Sequence, residues 1–540
     1  MKKISRRQLL KGAGVAGTSA LLAACVAPTP QIIKETVPVE KVVEKTVKET
    51  VVVEKVATQV VERVVTPTVA PKPELKGKIS IQWWGDVKEF EEAKGKKVGM
   101  PAYREAYLLI KEWMAAHPGV QVQFEPKPQD TKGLFQTQMV AGTLPDLISW
   151  SVGVAPDVIA PNIDLFYDWA KELKEKNPYG YMPTWEEEFP LGTKITNLWA
   201  PWVGESRRLF LGNTQTGGFG YTAHIYNADM LKKADAQVPP KTWSELIAMC
   251  EKLLKAGFTP MFMQTMQFQW EVRVLCDQFL ELTFNQILSA WNAQAFTQEI
   301  WAWAIKNGIV KATDPRLLEA LRLMKDMVKF WIRDWTAPEN VNYFLLKRVA
   351  LQHDGFWNIE GIRDAPQRDF EVGTFYMPPV DKAVSEYATG VAIRRLGTAE
   401  AGSSLAAYVA PMDIVKRGTY PLVKDLLQYV SARKQNEKWC AAQTPPCLPP
   451  GKKLEDTLKD PKELAVHYGF FNPEMTAARM ARDIHWSGIM DVLSRLFVDY
   501  SVGKLGLEEY GKQMQDEWVR ITDKRITDNP TWKVKEWPKP

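Results

Sequence analysis

The run ISIQW at residues 79–83 opens the part of the sequence that decides the fold. Apolar and polar residues alternate in it, as in a strand with one buried face. A helical pattern at 103–116 ends at a His-Pro-Gly turn, after which VQVQF at 120–124 alternates in the same way. A second helical pattern at 131–141 leads into LISW at 147–150. This β-α-β-α-β order predicts a mainly parallel sheet covered by helices.

The α/β pattern starts again further along the chain. An extended run at 218–226 is followed by a capping box, in which the hydroxyl of Thr242 accepts from the amide of Glu245 and the Glu245 carboxylate reaches back. A helix at 246–255 and extended chain at 260–263 come next. These patterns predict a second α/β lobe.

The bulk properties bound the class of protein. A chain of 540 residues is too long for one hydrophobic core, so at least two lobes are expected. Hydrophobic residues make up 45% and charged residues 25%, which excludes wholesale disorder and a polytopic membrane protein. The net charge of +5 comes from 69 basic and 64 acidic residues without a basic, aromatic-rich stripe, so we expect no nucleic-acid partner.

The chain contains five cysteines, at Cys25, Cys250, Cys276, Cys440 and Cys447. None lies in a C-x-x-C pair or beside a histidine at zinc-ligand spacing, so the sequence predicts no metal and no cofactor. Cys440 and Cys447, which flank a proline-containing run, are the candidate disulfide of an exported protein. Two free thiols are the alternative.

The N-terminus has the layout of an export signal. Arg6 and Arg7, followed by a short apolar run, resemble a twin-arginine signal. Leu-Ala-Ala-Cys at 22–25 matches the bacterial lipobox. That resemblance implies removal of a signal peptide, residues 1–24, and attachment of lipid to the sulfur of Cys25. A plain signal peptide with a chance cysteine is the alternative.

Residues 25–76 are interpreted as a tether that begins at the lipidated cysteine. After the cysteine the segment repeats valine, lysine and glutamate and contains no glycine and no aromatic residue, so it cannot build a core. Its β-branched valines and its prolines favour extended backbone, and its charges keep it in water. A short coiled coil is the alternative, because valines recur in places at helical spacing.

Seven short motifs follow one another in a fixed order along the chain. They lie at 79–86, 141–146, 226–231, 239–246, 354–357, 409–411 and 502–510. In this order they resemble the family 1 extracellular solute-binding proteins of ABC importers, the group that includes maltose-type binding proteins. The resemblance covers about residues 77 to 515.

The resemblance implies an α/β, two-lobed periplasmic-binding-protein type II fold with a hinged cleft between the lobes. Lobe 1 would consist of 77–220 and 403–445, and lobe 2 of 221–402 and 446–540. The expected function is capture of a sugar or oligosaccharide for the permease subunits of an ABC importer. The protein would act as an extracytoplasmic monomer that lipid anchors to the bacterial cell membrane.

The candidate ligand-binding residues are aromatic platforms and one carboxylate. A pyranose combines apolar C–H faces with a rim of hydroxyls, so it suits an indole surface beside a hydrogen-bond acceptor. The resemblance places Trp357 at the stacking position of the family. Trp84, Trp150 and Trp270 are the further platforms, and Asp86 is the expected acceptor. The neighbouring Trp83 should face the core, because side chains alternate along a strand.

Two other classes of protein remain as alternatives. A secreted carbohydrate-active hydrolase would need a carboxylate pair, which Glu186–Glu188 could supply, but these acids read more simply as the first turn of a helix. The sequence contains no G-x-S-x-G, H-E-x-x-H or Walker motif, and we predict that the protein is not an enzyme. A surface binding module without a transport role would carry the same anchor and tether.

Overall fold

The structure is a computed structural model, and it divides the chain into two compact units, 1–74 and 75–540. The residues that it describes are 32–36, 60–64, 74–83, 87, 101–126, 131–149, 160–189, 207–216, 222–293, 296–333, 335–336, 342–394, 401–442, 454–470, 476–477, 489–529 and 532–539.

The strands were expected mainly from alternating patterns, and most of those patterns lie within two residues of an observed strand. The strands are β1 Ile32–Thr36, β2 Val60–Val64, β3 Gly77–Gln82, β4 Val120–Glu125, β5 Leu147–Ser149, β6 Leu211–Thr216, β7 Thr222–Asn227, β8 Thr259–Phe262, β9 Val349–Gly355, β10 Val372–Phe375, β11 Ile393–Arg394, β12 Ala401–Val409 and β13 Thr476–Ala477.

Helices cover both sheets of the larger unit and form much of its second half. Across the described ranges, no helix is both long enough and apolar enough to cross a membrane. The helices are α1 Pro101–Ala116, α2 Thr131–Ala141, α3 Ala228–Lys233, α4 Trp243–Lys255, α5 Thr265–Ala290, α6 Gln298–Lys306, α7 Pro315–Met327, α8 Phe356–Arg363, α9 Ile414–Arg417, α10 Tyr420–Ser431, α11 Arg433–Ala442, α12 Leu454–Thr457, α13 Pro461–His467, α14 Ile489–Ser501 and α15 Leu507–Asp528.

The first unit contains most of the segment that was interpreted as a tether. Its described residues form an antiparallel pair, β1 with β2, in which Ile32 lies opposite Val64. Extended backbone agrees with the valine-rich sequence, and the described part of this unit contains no helix of a coiled coil. The export signal and Cys25 lie outside the described residues.

One sheet of the larger unit has five strands in the order β4-β3-β5-β12-β6. Strand β3 runs parallel to β4 and β5, as the β-α-β-α-β pattern predicts. Strand β12 is antiparallel to both of its neighbours, so β6 runs in the same direction as β3, β4 and β5, and β12 is the exception to the expected mainly parallel sheet. The reason is the path of the chain: β12 enters the sheet at the edge where β3 and β5 end, and it must run back from there.

The other sheet has four strands in the order β10-β7-β9-β8. Strand β7 is antiparallel to β10 and β9, whereas β8 is parallel to β9. Thr222, the first residue of β7, lies opposite Gly355, the last residue of β9. The carboxyl ends of β8 and β9 therefore lie at the edge where β7 begins.

Trp83 marks the core beneath the five-stranded sheet. Its side chain is fully buried, and its ring meets those of Tyr103, Tyr107 and Phe124 edge to face. This confirms that Trp83 faces inward. Complete burial of an aromatic side chain contributes about 3 kcal/mol, so Trp83 helps to fix α1 on the sheet.

Local hydrogen bonds fix the start of α4, where the capping box was expected. Thr242 Oγ1 accepts from the amide of Glu245 at 3.2 Å, which confirms the first half of the box. The Glu245 carboxylate accepts from the amide of Lys241 at 2.6 Å, one residue earlier than in the ideal motif. A cap of this kind is worth about 1 kcal/mol.

Asp146 has a structural role in the turn before β5. Its carboxylate accepts from the amide of Ser80 at 2.8 Å and from the hydroxyl of Thr419 at 2.6 Å. The side chain is 5% exposed. Asp146 therefore ties the turn to β3 and to the residue before α10, and its oxygens are already used by the protein.

Candidate functional site

Three of the predicted ligand-binding residues come within four residues of the end of a strand in the five-stranded sheet. Trp84 and Asp86 come after β3, which ends at Gln82, and Trp150 comes after β5. Strands β3 and β5 are parallel neighbours, with Gln82 opposite Ile148, so both end at one edge of the sheet. In open α/β sheets ligands bind outside such carboxyl ends. Trp84, Asp86 and Trp150 lie outside the described residues, and their contacts remain predictions.

Trp357 is the second residue of α8, which follows β9 without an intervening loop. The residue before the helix, Gly355, has extended backbone with φ −88° and ψ 154°. The chain thus passes from strand to helix at the edge of the four-stranded sheet. The backbone of Trp357 is described at this position, whereas its side chain is not.

Asp354 holds the turn that carries Trp357. Its carboxylate accepts from the amide of Gly355 at 2.7 Å, from Asn358 Nδ2 at 2.9 Å and from Gln352 Nε2 at 2.6 Å. Burial raises the pKa of Asp354, although these three hydrogen bonds favour the charged form. Asp354 therefore positions the start of α8.

Trp270 lies in the second turn of α5 and is 6% exposed. Its ring meets the imidazole of His353 nearly edge on, with centroids 5.9 Å apart and planes at 72°. His353 belongs to β9, two residues before the end of that strand. Trp270 thus packs close to the edge from which α8 starts, and its role as a ligand platform remains a prediction.

Arg104 and Glu360 form a buried ion pair that the sequence analysis missed. Arg104 Nη1 donates to Glu360 Oε2 at 3.0 Å, and the side chains are only 7% and 4% exposed. Arg104 Nε also donates to Glu105 at 2.9 Å, whereas Nη2 has no hydrogen-bond partner among the described residues. Glu360 lies on α8, one helical turn after Trp357. The pair therefore connects α1 to the helix that carries the main candidate platform.

One of the three acids considered for a hydrolase, Glu188, is part of the scaffold. Residues Glu186–Glu188 form a short 3-10 helix, as their interpretation as a helical turn predicts. The fully buried Glu188 accepts from the amide of Met182 at 2.7 Å and from the amide of Arg433 at 2.8 Å, using one oxygen for each. A carboxylate held in this way is not free to act as an acid or a nucleophile.

Cysteine chemistry divides the described thiols into two groups. Cys440 is disulfide-bonded, and its partner lies outside the described residues. Cys250 and Cys276 are free and buried, and burial raises the pKa of each thiol. A buried thiol with a raised pKa is unreactive, so these two side chains serve as small hydrophobic groups.

Residues 109–449 match the family model described as Bacterial extracellular solute-binding protein. The match covers more than half of the chain, and the chain belongs to this family. No curated protein sequence matches it.

Three solved structures show the fold. One, from a report on xylan utilization by Caldanaerobius polysaccharolyticus, has a TM-score of 0.54 and 17% identity, covering 82% of this chain and 99% of that one. An ABC substrate-binding protein from Listeria monocytogenes in complex with cycloalternan has a TM-score of 0.52 and 15% identity, covering 83% and 99%. The sugar-binding protein MalE from Xanthomonas citri has a TM-score of 0.52 and 15% identity, covering 85% and 100%. The protein has the two-lobed periplasmic-binding-protein type II fold, as predicted.

Proposed function

We propose that the protein captures a sugar or an oligosaccharide outside the cytoplasm and delivers it to the permease subunits of an ABC importer. The observation that carries this proposal is the match to the solute-binding family over residues 109–449. Of the three structural relatives named above, the first comes from a report on xylan utilization, the second is in complex with cycloalternan, and the third is called a sugar-binding protein. The protein acts as a binder, without catalysis.

The proposed site lies in the cleft between two lobes, 77–220 with 403–445 and 221–402 with 446–540. The two sheets support this division, because 77–216 and 401–409 supply one and 222–375 supply the other. In the cleft Trp84, Trp150, Trp270 and Trp357 stack on sugar faces, and Asp86 accepts from hydroxyls. Closure of the lobes around the ligand excludes water.

The proposed anchor is the lipid on Cys25, after export directed by Arg6 and Arg7. About 50 residues of tether, which would span at most about 150 Å if fully extended, would connect the anchor to the binding unit. We also propose that Cys447 is the partner of Cys440. The bond would close a short loop around residue 445, where the chain would cross between the proposed lobes for the third time. Closing this loop would stiffen the crossing.

A thermal-shift screen tests the proposed function. The mature protein is heated with monosaccharides, with oligosaccharides of xylose and glucose, and with a control panel of amino acids and dipeptides. A ligand present at 100 times its dissociation constant adds about 2.7 kcal/mol to stability, so a matching sugar should raise the melting temperature by several degrees. A shift with the control panel and with no sugar would contradict the sugar assignment.

A further inference from the structure

Two histidines and a glutamate meet inside the part of the protein built on the four-stranded sheet. His224 of β7 lies opposite His353 of β9 in the strand register, and the ring centroids are 4.8 Å apart. Glu271 comes from α5. Its Oε1 lies 2.8 Å from His353 Nδ1 and 3.7 Å from His224 Nε2. Three separate elements thus bring their ligating atoms within 4.8 Å of one another.

The trio is buried, and its polar atoms are incompletely paired. His224, Glu271 and His353 are 0%, 1% and 3% exposed. Among the described residues, neither ring nitrogen of His224 has a hydrogen-bond partner, and the same holds for Glu271 Oε2. A buried polar group without a partner costs about 1–3 kcal/mol. The protein therefore keeps several costly unpaired polar atoms at one point.

The donor types suit ligation. Imidazole nitrogen and carboxylate oxygen are both common metal ligands, and a metal ion displaces their protons as it binds.

We propose that His224, Glu271 and His353 bind one divalent transition-metal ion, with Zn²⁺ the best match. Two imidazoles and one carboxylate are a common three-residue set for zinc, and this combination disfavours Mg²⁺ and Ca²⁺, which prefer oxygen ligands. Bonds of about 2.0–2.1 Å in a tetrahedral site place the ligand atoms about 3.3 Å apart. The Oε1 atom of Glu271 lies 2.8 Å from His353 Nδ1 and 3.7 Å from His224 Nε2, and all the ligand atoms lie within 4.8 Å of one another, so binding needs only small side-chain adjustments.

The ion would join β7, β9 and α5 close to the end of β9, from which α8 starts. His353 lies two residues before Gly355, where β9 ends, and His224 lies two residues after the start of β7. The ion would therefore fix the strand from which α8 starts. This role is structural and does not depend on which solute the protein captures.

The test measures metal binding by the full mature chain. After treatment with a chelator, the wild type should bind one equivalent of Zn²⁺, which raises its melting temperature, while Mg²⁺ has no effect. Co²⁺ should give the visible absorption of a tetrahedral site. His224→Gln and Glu271→Gln should each weaken Zn²⁺ binding more than about 100-fold. This loss exceeds the one expected when a residue that only supports a metal ligand is changed.

His467→Gln is the matched control, because His467 is also buried and its Nδ1 has no partner among the described residues. This variant should bind Zn²⁺ like the wild type. Failure of the wild type to bind one equivalent, or unchanged binding by folded His224→Gln and Glu271→Gln, would overturn the proposal. If a variant does not fold, the Co²⁺ spectrum of the wild type decides, since an octahedral spectrum excludes the site.

Discussion

The guanidinium of Arg104 and the carboxylate of Glu360 form a buried ion pair across 256 positions of sequence. Arg104 belongs to α1, which packs on the five-stranded sheet, and Glu360 belongs to α8, which follows a strand of the four-stranded sheet. In the proposed lobes the two residues lie on opposite sides of the cleft. The pair is therefore expected to respond when the lobes move.

The first prediction concerns this pair. Glu360→Gln removes the charge but keeps the volume, and the buried Arg104 then loses its buried carboxylate partner while its ion pair with Glu105 remains. The free energy of unfolding should fall by about 2 kcal/mol or more, as in other buried pairs that lose one member. Glu371→Gln is the control, because its partner Lys462 and Glu371 itself are exposed, and it should leave stability unchanged. Equal urea midpoints for the two variants would show that the Arg104 pair adds nothing.

Trp357 is predicted to bind ligand rather than to support the fold. With a sugar identified by the thermal screen, Trp357→Ala should weaken binding about 10- to 100-fold, which corresponds to the loss of about 1–3 kcal/mol of stacking. Its melting temperature without ligand should change little. Trp243→Ala gives the contrast, because Trp243 is 2% exposed and its truncation should cost about 3–5 kcal/mol of stability. If calorimetry finds the same sugar affinity for Trp357→Ala and the wild type, Trp357 is not part of the binding site.

Cys25 is predicted to carry the lipid. Cells that express Cys25→Ser should incorporate no labelled fatty acid into the protein, because the lipobox supplies its only acceptor sulfur. Cys276→Ala is the control, since this buried thiol is unreactive and its loss should leave the label in place. Label that persists in Cys25→Ser would refute the anchor.

His467 should make stability depend on pH. Burial, with a contribution from Arg363, lowers the pKa of His467 to about 3, whereas the unfolded value is about 6.5. Glu463 lies 3.5 Å away but is 41% exposed, so water weakens its attraction and burial prevails. Between these values the unfolded chain binds more protons, so the stabilisation present above pH 6.5 is lost as the pH falls.

His467→Gln tests this dependence in urea unfolding at pH 7.5, 6, 5 and 4.5. Below about pH 6, the stability of the wild type relative to the variant should fall by up to about 1.4 kcal/mol per pH unit. Other buried groups titrate in both proteins and cancel in the difference. A difference that stays constant over this range would show that His467 is not held neutral.

The sequence predicted elements well where periodicity is local. The helix expected at 131–141 has those bounds in the structure, and the strand expected at 120–124 is extended by one residue. The direction of β12 was missed, because the chain reaches this strand from the other sheet and no local pattern records that path.

The sites depend on distant residues, and this limits prediction. From the sequence alone, Arg104 is indistinguishable from an ordinary surface residue of a helix. Only the fold brings Glu360 close to it. In the same way, His224, Glu271 and His353 come from two strands and a helix, so no short ligand spacing signals them. By contrast, Trp357 was identified through resemblance, and its side chain is not described.

Solution X-ray scattering by the mature protein tests the central claim most directly. The radius of gyration of the wild type is measured without ligand and with the sugar that gives the largest thermal shift. The Trp357→Ala variant is measured with the same sugar. A hinged sugar-binding protein should become more compact with the sugar, and the variant should not do so at a concentration that saturates only the wild type. An unchanged radius of gyration at saturating sugar would contradict capture by closure of the two lobes.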